Sequence, residues 1–439
     1  MADVRPFRGI RYNLAKALDA SAVIAPPYDV IDAGMQSALH ERHPHNVVRL
    51  ILADDRHRHP EAVDSYDSAR LLLEEWLDSG ILVYEDEDSF YLVSQDYDYQ
   101  GRRTQWGILA AVTLEEFDRK IILPHEATMD GPKEDRLRLM KACETNLSPI
   151  FACYFDRKEQ ISVVTKEVAA GLPILEAEGD EGERVRMWKI SGQAQIDAIQ
   201  NTFKNKSLYI ADGHHRYETS LAYKWRMLER HRDKTEAPWN RALIYLSDFN
   251  SSGLLIRPYH RAIKHLKGMN TEEFLLAIDR LFHKTKLEIN PWRDGEEALE
   301  KAGDALTEAS HKGPAYTLIA ADDDDVYLLV PRAESMQLLD DVPEALRPLD
   351  VTVLHRLAFG EILEISETDL RAGKVILYDP DWRVIWKAVR KQGWAAAFFL
   401  SPVRPEQVSD VAEAGLIMPQ KSTYFYPKIP SGLVFHRFR

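Results

Sequence analysis

The chain has 439 residues, of which 45% are apolar and 29% are charged. This composition is typical of a folded globular protein and excludes disordered tails and fibrous repeats. At roughly 150 residues per domain, the length predicts two or three domains. The net charge of −14 opposes attraction to nucleic acid, because each phosphate contact needs a lysine or an arginine, so nucleic acid is not the expected partner.

We expect neither a membrane span nor a secretion signal. No stretch approaches the roughly 18 uninterrupted apolar residues of a transmembrane helix, and the first residues lack the basic and then apolar plan of a signal peptide. The two cysteines, Cys143 and Cys153, form no Cys-x-x-Cys pair that would indicate a redox couple or a zinc site. These observations favour a cytoplasmic protein.

The first distinctive segment is residues 25–30, in which two prolines restrict the backbone. Such a segment either holds Tyr28 and Asp29 at a site or turns a corner. Five histidines follow, and none of them stands in a carboxylate or cysteine arrangement typical of a metal site. We expect surface positions for all five, which are His40, His43, His45, His57 and His59.

Regular elements come next along the chain. Residues 69–77 have the spacing of an amphipathic helix that Gly80 stops, and residues 90–93 and 107–113 have the pattern of strands. The loop at residues 123–128 then precedes another helix and carries His125 and Glu126. Loops carry catalytic groups disproportionately, and a glutamate can accept the proton of a substrate hydroxyl. The spacing is not His-Glu-x-x-His, so a purely structural pair is the alternative.

The strongest motif is Asp212-Gly213-His214-His215-Arg216. An apolar run, residues 208–211, precedes it, and apolar residues recur after it at helical spacing, so a strand is expected to turn into a helix there. A helix N-terminus offers N–H groups and a partial positive charge that suit a phosphate or carboxylate, and Gly213 lets a ligand approach the backbone.

The side chains of this motif add charge to the helix start. His214, His215 and Arg216 can donate to a phosphate, and each hydrogen bond to a charged group contributes roughly 1.5 to 3 kcal/mol. Asp212 would then be the general base or a magnesium ligand. The alternative is an aspartate N-cap followed by two surface histidines. Neither a P-loop sequence nor a dinucleotide-binding fingerprint occurs in the chain.

The pattern changes after Arg261 to long helices, such as residues 271–282, between short strands. Residues 316–320 and 326–330 predict a hairpin, and the acidic run between them either binds a cation or is a solvated loop, which is the commoner case. A strand at 396–400 and a helix at 405–414 follow. In the run 418–428, Lys421, Ser422 and Thr423 form a set suited to phosphate, while its aromatic residues suit the core.

We therefore expect a mixed α/β (α+β) protein in two parts. Residues 1–265 would form a nucleotide- or phosphate-binding domain, and residues 266–439 a smaller α+β region that contributes residues 418–428.

Several segments together resemble one prokaryotic family, the domain-of-unknown-function family ten-fifteen. They are residues 25–30, 123–136, 209–222, 253–261 and 418–432. Within them, the motif from Asp212 to Arg216 is similar to the signature of ParB-like free-serine kinases, whose fold is shared with sulfiredoxin and with CTP-binding partition proteins. The resemblance implies a ParB/sulfiredoxin-like N-terminal part.

The resemblance also implies a transferase, a nucleotide-dependent kinase-like enzyme that acts on free serine or phosphoserine with ATP or ADP and Mg²⁺. Because such a reaction is reversible, it can also serve serine synthesis. Asp212 would bind the metal or act as base, and Glu126 would accept the proton. The transferred charge would be stabilised by His214, His215 and Arg216. The nucleotide would be contacted by Gly213, His125, Lys421, Ser422 and Thr423.

Two other functions stay open at this point. A hydrolase of the phosphoserine phosphatase type would release free phosphate instead of forming ATP. A nucleotide-switched ParB-like protein would bind DNA or act as a regulator, although the net charge and the lack of a basic arm oppose DNA binding.

Overall fold

The computed structural model describes residues 1–16, 19–128, 130–179, 182–234, 236–290 and 295–438. They form a mixed α/β protein with a large sheet and helices, as the sequence predicts. The chain divides into two compact units, Met1–Leu255 with Pro427–Arg439, and Ile256–Tyr426. These units differ from the division at residue 265 in that residues 256–265 belong to the second unit and the last residues return to the first.

The described strands and helices are numbered in chain order. The strands are β1 (Val4–Arg5), β2 (Ile10–Tyr12), β3 (Leu82–Tyr84), β4 (Phe90–Asp98), β5 (Arg102–Thr113), β6 (Ile122–Leu123), β7 (Thr145–Asn146), β8 (Ile150–Tyr154), β9 (Leu175–Glu178), β10 (Arg184–Ile190), β11 (Leu208–Asp212), β12 (Arg241–Asp248), β13 (Leu255–Arg257), β14 (His260–Ile263), β15 (Phe282–Leu287), β16 (Tyr316–Ala320), β17 (Val326–Pro331), β18 (Ile376–Asp379), β19 (Ala396–Leu400), β20 (Tyr424–Tyr426) and β21 (His436–Arg437). The α-helices are α1 (Ala20–Val23), α2 (Ala33–Arg42), α3 (Val48–Ile51), α4 (Ser65–Asp78), α5 (Asp130–Cys143), α6 (Gln160–Ala169), α7 (Gln193–Phe203), α8 (His214–Arg230), α9 (Thr271–Leu281), α10 (Gly295–Ser310), α11 (Asp350–Leu354), α12 (Glu367–Ala372), α13 (Trp382–Lys391) and α14 (Pro405–Glu413).

Short helices of other types add to these elements. A π-helix follows α11 at His355–Ile362. The 3-10 helices are Leu14–Lys16, Tyr28–Val30, Asp55–His57, Phe117–Arg119, Pro238–Asn240 and Ser335–Leu339.

The first unit is built on a nine-stranded sheet of order β6-β11-β8-β12-β5-β4-β10-β9, with β1 paired to β5. Strand β11 runs parallel to β6, with Tyr209 opposite Leu123, and antiparallel to β8, with Tyr209 opposite Cys153. The carboxyl ends of β6 and β11 and the start of β8 therefore meet at one edge of the sheet. Any side chains that follow β6 and β11 lie close together there.

Burial explains why β11 and α8 take these places. Leu208 and Ile210 alternate along β11 and are fully buried in the core of the sheet, and Tyr217 and Leu221 of α8 are buried in the same cluster at helical spacing. Burying one large apolar side chain contributes roughly 1.5 to 3 kcal/mol. The apolar core thus fixes the positions of the strand and the helix, and the turn between them is held at the sheet edge.

The second unit is built on a six-stranded sheet of order β15-β17-β16-β19-β14-β18, and every pair in it is antiparallel. Neighbouring residues along one strand, such as Ala262 and Ile263, enter different apolar clusters. Side chains alternate between the faces of a strand, so both faces of this sheet carry a core. The hairpin expected around the acidic run is confirmed, since β16 pairs with β17.

The other element predictions are also confirmed. Residues 69–77 lie in α4, residues 90–93 in β4 and residues 107–113 in β5. The patterns at 271–282, 396–400 and 405–414 correspond to α9, β19 and α14, with ends that differ by at most one residue. None of the helices in the described part of the chain is long and apolar enough to cross a bilayer.

Candidate functional site

The predicted turn from strand to helix is present at the edge of the first sheet. Strand β11 ends at Asp212, Gly213 has a φ of 87°, and α8 begins at His214. This positive φ favours glycine, and a Cβ on Gly213 would lie 2.8 Å from the Nε of Arg216. Gly213 has no side chain that could cap α8, and a helix start of this kind suits an anion.

His125 and His214 meet because β6 and β11 are parallel neighbours. Their ring centroids lie 4.9 Å apart with the rings edge to face, and both side chains are buried. Burial lowers the pKa of His125 to about 4, although a hydrogen bond with the Ile210 backbone and the charge of Asp212 oppose the shift. Burial and the nearby His125 likewise hold the pKa of His214 well below its ordinary value. Both rings are therefore neutral near pH 7.

The hydrogen bonds around His214 define its tautomer. The backbone N–H of His125 donates to Nε2 of His214 at 3.4 Å, so a neutral ring carries its proton on Nδ1. That Nδ1 lies 3.8 Å from a carboxylate oxygen of Glu126, whose side chain is 33% exposed. The loop after β6 therefore presents Glu126 to solvent and orients its carboxylate beside a buried imidazole.

Asp212 belongs to a network of two carboxylates and two cations, whose other members are Asp29, Arg216 and Lys428. Arg216 and Lys428 each bind one carboxylate oxygen of Asp212. Lys428 also lies 3.2 Å from Asp29, and Arg216 lies 3.9 Å from the other oxygen of Asp29. Asp212 is thus the shared partner of both cations.

The charges in this network shift the pKa values in opposite directions. Burial by itself would raise the pKa of Asp212, but Lys428 and Arg216 outweigh it and hold that pKa well below the ordinary value. Burial by itself would lower the pKa of Lys428, but Asp212 and Asp29 outweigh it and raise that pKa. Asp212 is consequently ionised at any physiological pH and is a weak base. Its described partners indicate that Asp212 positions the two cations.

Two segments far apart in sequence bring Asp29 and Lys428 to this place. Ala25 and Ser431 exchange both backbone hydrogen bonds, at 3.2 and 2.8 Å, in a short antiparallel bridge. Tyr28 and Lys428 each lie three residues from this bridge, and Asp29 follows in a 3-10 turn. The alternative in which residues 25–30 hold a side chain at a site is therefore the one that the geometry favours.

Arg216 is the most enclosed cation of the site. It also donates to the carbonyl oxygen of Pro149 at the start of β8, and its guanidinium lies 6.0 Å from the centre of the Tyr28 ring. Its Nε is buried without a hydrogen-bond partner among the described residues. Arg136 stacks on the same Tyr28 ring at 4.3 Å, and all three side chains line a small cavity.

A second set of contacts ties the loop after β6 to α8. The hydroxyl of Thr128 donates to Glu218 at 2.8 Å, and Lys133 lies 3.0 Å from the same carboxylate. His215, in the first turn of α8, is half-buried, and burial lowers its pKa although Glu218 opposes the shift. These contacts hold the loop that carries His125 and Glu126 in place. Met129, at the junction with α5, lies outside the described residues.

The structure puts Lys421, Ser422 and Thr423 in the second unit. There, the ammonium of Lys421 lies 5.0 Å from the centre of the Tyr259 ring, and the Lys421 carbonyl accepts a hydrogen bond from Arg261. Ser422 and Thr423 are buried, and the Ser422 hydroxyl donates to Pro419 at 2.5 Å. The predicted contact of these three residues with a nucleotide stays a prediction.

The structure thus brings six of the predicted site residues to one place, with His215 beside them: Asp212, Gly213, His214, Arg216, His125 and Glu126. The sequence analysis missed Lys428 and left the role of Asp29 open. One signal pointed to both of them. Lys428 stands between Pro427 and Pro430, and Asp29 follows Pro26-Pro27, so each lies in a segment with a restricted backbone.

The arrangement can bind an anion and move a proton. Arg216, Lys428 and the start of α8 offer donors to a phosphate or carboxylate, and Asp29 and Asp212 offer the carboxylate oxygens that hard divalent cations such as Mg²⁺ prefer. Glu126, beside the neutral His214, can accept a proton.

Comparison with known proteins gives distant structural likenesses. One is a conserved hypothetical protein from Pyrococcus furiosus, with 13% identity and a TM-score of 0.33 over 74% of this chain and 93% of that chain. Another is a free serine kinase in complex with AMP, with 12% identity and a TM-score of 0.34 over 74% and 92%. A third is SbnI with a C-terminal truncation from Staphylococcus aureus, with 12% identity and a TM-score of 0.34 over 74% and 85%. TM-scores this low carry no conclusion about the site.

A comparison with curated proteins found no match. The match to a family model is extensive, because the model for "Protein of unknown function (DUF1015)" covers residues 4–352. That range includes the turn at Asp212 and the loop at His125, which carried the resemblance in the sequence. This chain belongs to the family of proteins of unknown function DUF1015, the family ten-fifteen.

Proposed function

We propose that this protein is a nucleotide-dependent phosphotransferase that acts on free serine or phosphoserine. One observation carries the proposal: two cations, Arg216 and Lys428, share the carboxylate of Asp212 at the start of α8. The identity of the amino-acid substrate rests on the similarity of the motif Asp212 to Arg216 to the free-serine kinase signature. A ParB/sulfiredoxin-like arrangement of the first unit is part of the same proposal.

The phosphate would bind where the Asp212 carboxylate now holds the two cations. A phosphoryl group carries more negative charge than a carboxylate, and it can accept from Arg216, from Lys428 and from the N–H groups after Gly213 at the same time. Each such charged hydrogen bond contributes roughly 1.5 to 3 kcal/mol, and the helix start adds roughly 0.3 to 1 kcal/mol. The Asp212 carboxylate keeps the donors aligned before the phosphate arrives, which lowers the cost of ordering them.

Mg²⁺ would be held by Asp212 and Asp29. Their carboxylates are the ligand type that this ion prefers, and both already face one cation, the ammonium of Lys428. When bound, the ion would neutralise charge on the transferred phosphoryl group. Because Lys428 and Arg216 keep Asp212 ionised, Asp212 suits this role better than that of a base.

Glu126 is the proposed proton acceptor. In the kinase direction, the serine hydroxyl gives its proton to Glu126 while its oxygen bonds to the terminal phosphorus of the nucleotide, and the bond from that phosphorus to the nucleotide breaks. In the reverse direction, Glu126 returns the proton to the serine oxygen as phosphoserine gives its phosphoryl group to ADP. His214 orients the carboxylate through Nδ1, and His125, His215, Lys421, Ser422 and Thr423 are the further proposed contacts to the phosphates and nucleotide.

A phosphorus-31 NMR assay of the purified chain tests the proposal. The protein is incubated with Mg²⁺ and either ATP with L-serine or ADP with phosphoserine, and we expect phosphoserine in the first mixture and ATP in the second. The Glu126→Gln variant should lower the rate on the order of 10²-fold to 10⁴-fold, which is the usual contribution of a general base. The matched control is Glu134→Gln, because Glu134 is exposed on α5 and lies outside the cluster.

Two outcomes would contradict this function. If neither mixture exchanges phosphate, and His214→Ala leaves nucleotide binding unchanged, the site is not a phosphotransferase centre. If phosphoserine is consumed with free phosphate as the product and without ATP, the protein is a hydrolase instead. Tight DNA binding in a gel-shift assay at physiological salt would favour the nucleotide-switched alternative.

A further inference from the structure

We propose that the first unit also holds a borderline divalent metal ion, of the Zn²⁺ type, on His40, Asp54 and His57. The three residues come from two neighbouring segments. His40 lies in the last turn of α2, and Asp54 caps the 3-10 turn that contains His57. This site is separate from the Asp212 cluster, and it does not depend on the function proposed there.

The ligand atoms already converge. One nitrogen or oxygen atom from each of His40, Asp54 and His57 lies within 4.8 Å of the others, and among the residues that the structure describes this is the one group of its kind. The Nδ1 of His57 lies 2.9 Å from Oδ1 of Asp54, and the two imidazole rings have centroids 4.6 Å apart. The rings are stacked at an interplanar angle of 8°, so a cation that bound these atoms would require the imidazole rings to turn toward it, without a change of fold.

His40 supplies an independent observation that points to a ligand. Its side chain is only 1% exposed, and its Nε2 lies 3.2 Å from the carbonyl oxygen of Leu52. A carbonyl can only accept, so Nε2 carries the proton and Nδ1 carries a lone pair. That Nδ1 is buried without a hydrogen-bond partner in the described structure. Histidine ligands of metals commonly donate their other ring N–H to a carbonyl in this way.

The donor set selects the class of metal. Two imidazole nitrogens and one carboxylate oxygen suit Zn²⁺ and similar transition-metal ions, whereas Mg²⁺ and Ca²⁺ prefer oxygen ligands throughout. Three protein ligands leave one position for water. Arg56 lies 3.5 Å from the second oxygen of Asp54 and is mostly exposed, so it can turn away when the carboxylate binds a cation.

The proposal corrects the prediction that the five histidines are surface residues without a metal arrangement. That prediction is wrong for His40, which is buried, and the structure brings an aspartate next to His57. The sequence spacing does not indicate the group, because α3 intervenes between His40 and Asp54. The metal would join the end of α2 to the segment that follows α3.

A cobalt titration of the full chain, freed of metal by a chelator and carrying no histidine tag, tests the site. We expect one equivalent of Co²⁺ to bind with visible absorption bands and to be displaced by Zn²⁺, while excess Mg²⁺ has no effect. His40→Gln and His57→Gln should each weaken Co²⁺ binding by on the order of 100-fold or more. His59→Gln is the matched control and should bind normally, because His59 contacts Glu75 and lies outside the group.

Two further variants locate the metal and protect the test against misfolding. Asp212→Asn should still bind one full equivalent of Co²⁺. If this variant no longer binds Co²⁺, the metal belongs to the Asp212 cluster and the proposal fails. Asp54→Asn nearly preserves the side-chain shape and should also weaken Co²⁺ binding. This variant replaces the histidine variants in the test if circular dichroism shows that the histidine variants misfold. Absence of stoichiometric Co²⁺ binding by the unmodified chain would overturn the proposal directly.

Discussion

Two buried arginines, one in each unit, are held in opposite ways. Arg216 in the first unit lies against the carboxylate of Asp212, with Asp29 at 3.9 Å. Arg261 in the second unit is fully buried, donates to the carbonyl oxygens of Tyr259 and Lys421, and stacks on the Tyr378 ring at 5.4 Å. No carboxylate in the described part of the chain forms an ion pair with Arg261. Burial lowers the pKa of Arg261 to about 10.

The difference separates a cation arranged for exchange from a cation fixed by neutral groups. A carboxylate that pairs with two cations can release one of them to a phosphate, because the negative charge of the phosphate then pairs with that cation in place of the carboxylate. Carbonyl dipoles and an aromatic ring give Arg261 no such exchangeable partner. We therefore expect substitutions in the Asp212 cluster to affect ligand binding and stability, and substitutions at Arg261 to affect neither strongly.

The largest effect is expected for Lys428→Met. Removing one cation from a buried ion pair leaves the Asp212 carboxylate poorly compensated, which costs about 3 kcal/mol in the free energy of unfolding. Urea denaturation followed by tryptophan fluorescence measures this loss, and the exposed Lys166→Met variant is the control. Equal stability of the two variants would show that Lys428 is not part of a compensated cluster.

A smaller effect is expected for Gly213→Ala. The φ of 87° disfavours alanine, and its Cβ would press on the Arg216 side chain, so we expect a loss of about 1 to 2 kcal/mol. Isothermal titration with a nucleotide should also show weaker binding, because the start of α8 moves. Gly303→Ala, in α10, has open space around the Cβ and should not destabilise the protein. Unchanged binding in Gly213→Ala would remove the helix start from the anion site.

A still smaller effect is expected for Arg261→Met. The change removes a buried charge that lacks a carboxylate partner, which offsets the loss of its hydrogen bonds to two carbonyl oxygens, and it keeps much of the side-chain volume, so stability should change by no more than about 1 kcal/mol. Urea denaturation under the conditions used for Lys428→Met gives the direct contrast. A loss as large as that of Lys428→Met would mean that the two arginines are equivalent in energy, and the comparison would fail.

The last prediction concerns the pH dependence of the second unit. Burial raises the pKa of Asp350 to about 7, although Arg404 and Arg261 oppose the shift. Because the pKa in the folded state is above the unfolded value, the contribution of Asp350 to stability is complete below pH 4 and is lost as the pH rises through 7. Asp350→Asn should therefore lose less stability than the unmodified chain between pH 5 and 8, measured by thermal denaturation. Parallel curves for the two proteins would exclude this titration.

Local signals in the sequence were sufficient for the turn at Asp212. A short apolar run, a glycine and helical spacing occur within one stretch, so the strand, the turn and the start of α8 could be predicted together. The Asp212 to Arg216 ion pair is also local, because the turn at Gly213 places Arg216, in the first turn of α8, beside the carboxylate at the end of β11.

Pairing between distant strands was not readable in the same way. His125 reaches His214 only because β6 lies parallel to β11, and β6 has two residues with no pattern of their own. The hydroxyl residues after Lys421 make Lys421 the lysine that the sequence indicates, yet the bridge between Ala25 and Ser431 brings Lys428 to the cluster. A single sequence has no local pattern that indicates either contact.

The return of the last residues to the first unit has a consequence for biosynthesis. The ion pair between Lys428 and Asp29 joins positions 399 residues apart, and Lys428 follows Asp212 by 216 residues. As the chain leaves the ribosome, Asp29 and Asp212 emerge long before the ammonium that neutralises them. The first unit therefore passes through a nascent form in which Arg216 alone faces the two carboxylates, and the centre is completed only when translation has passed residue 428. A chain that terminates early would lack this centre.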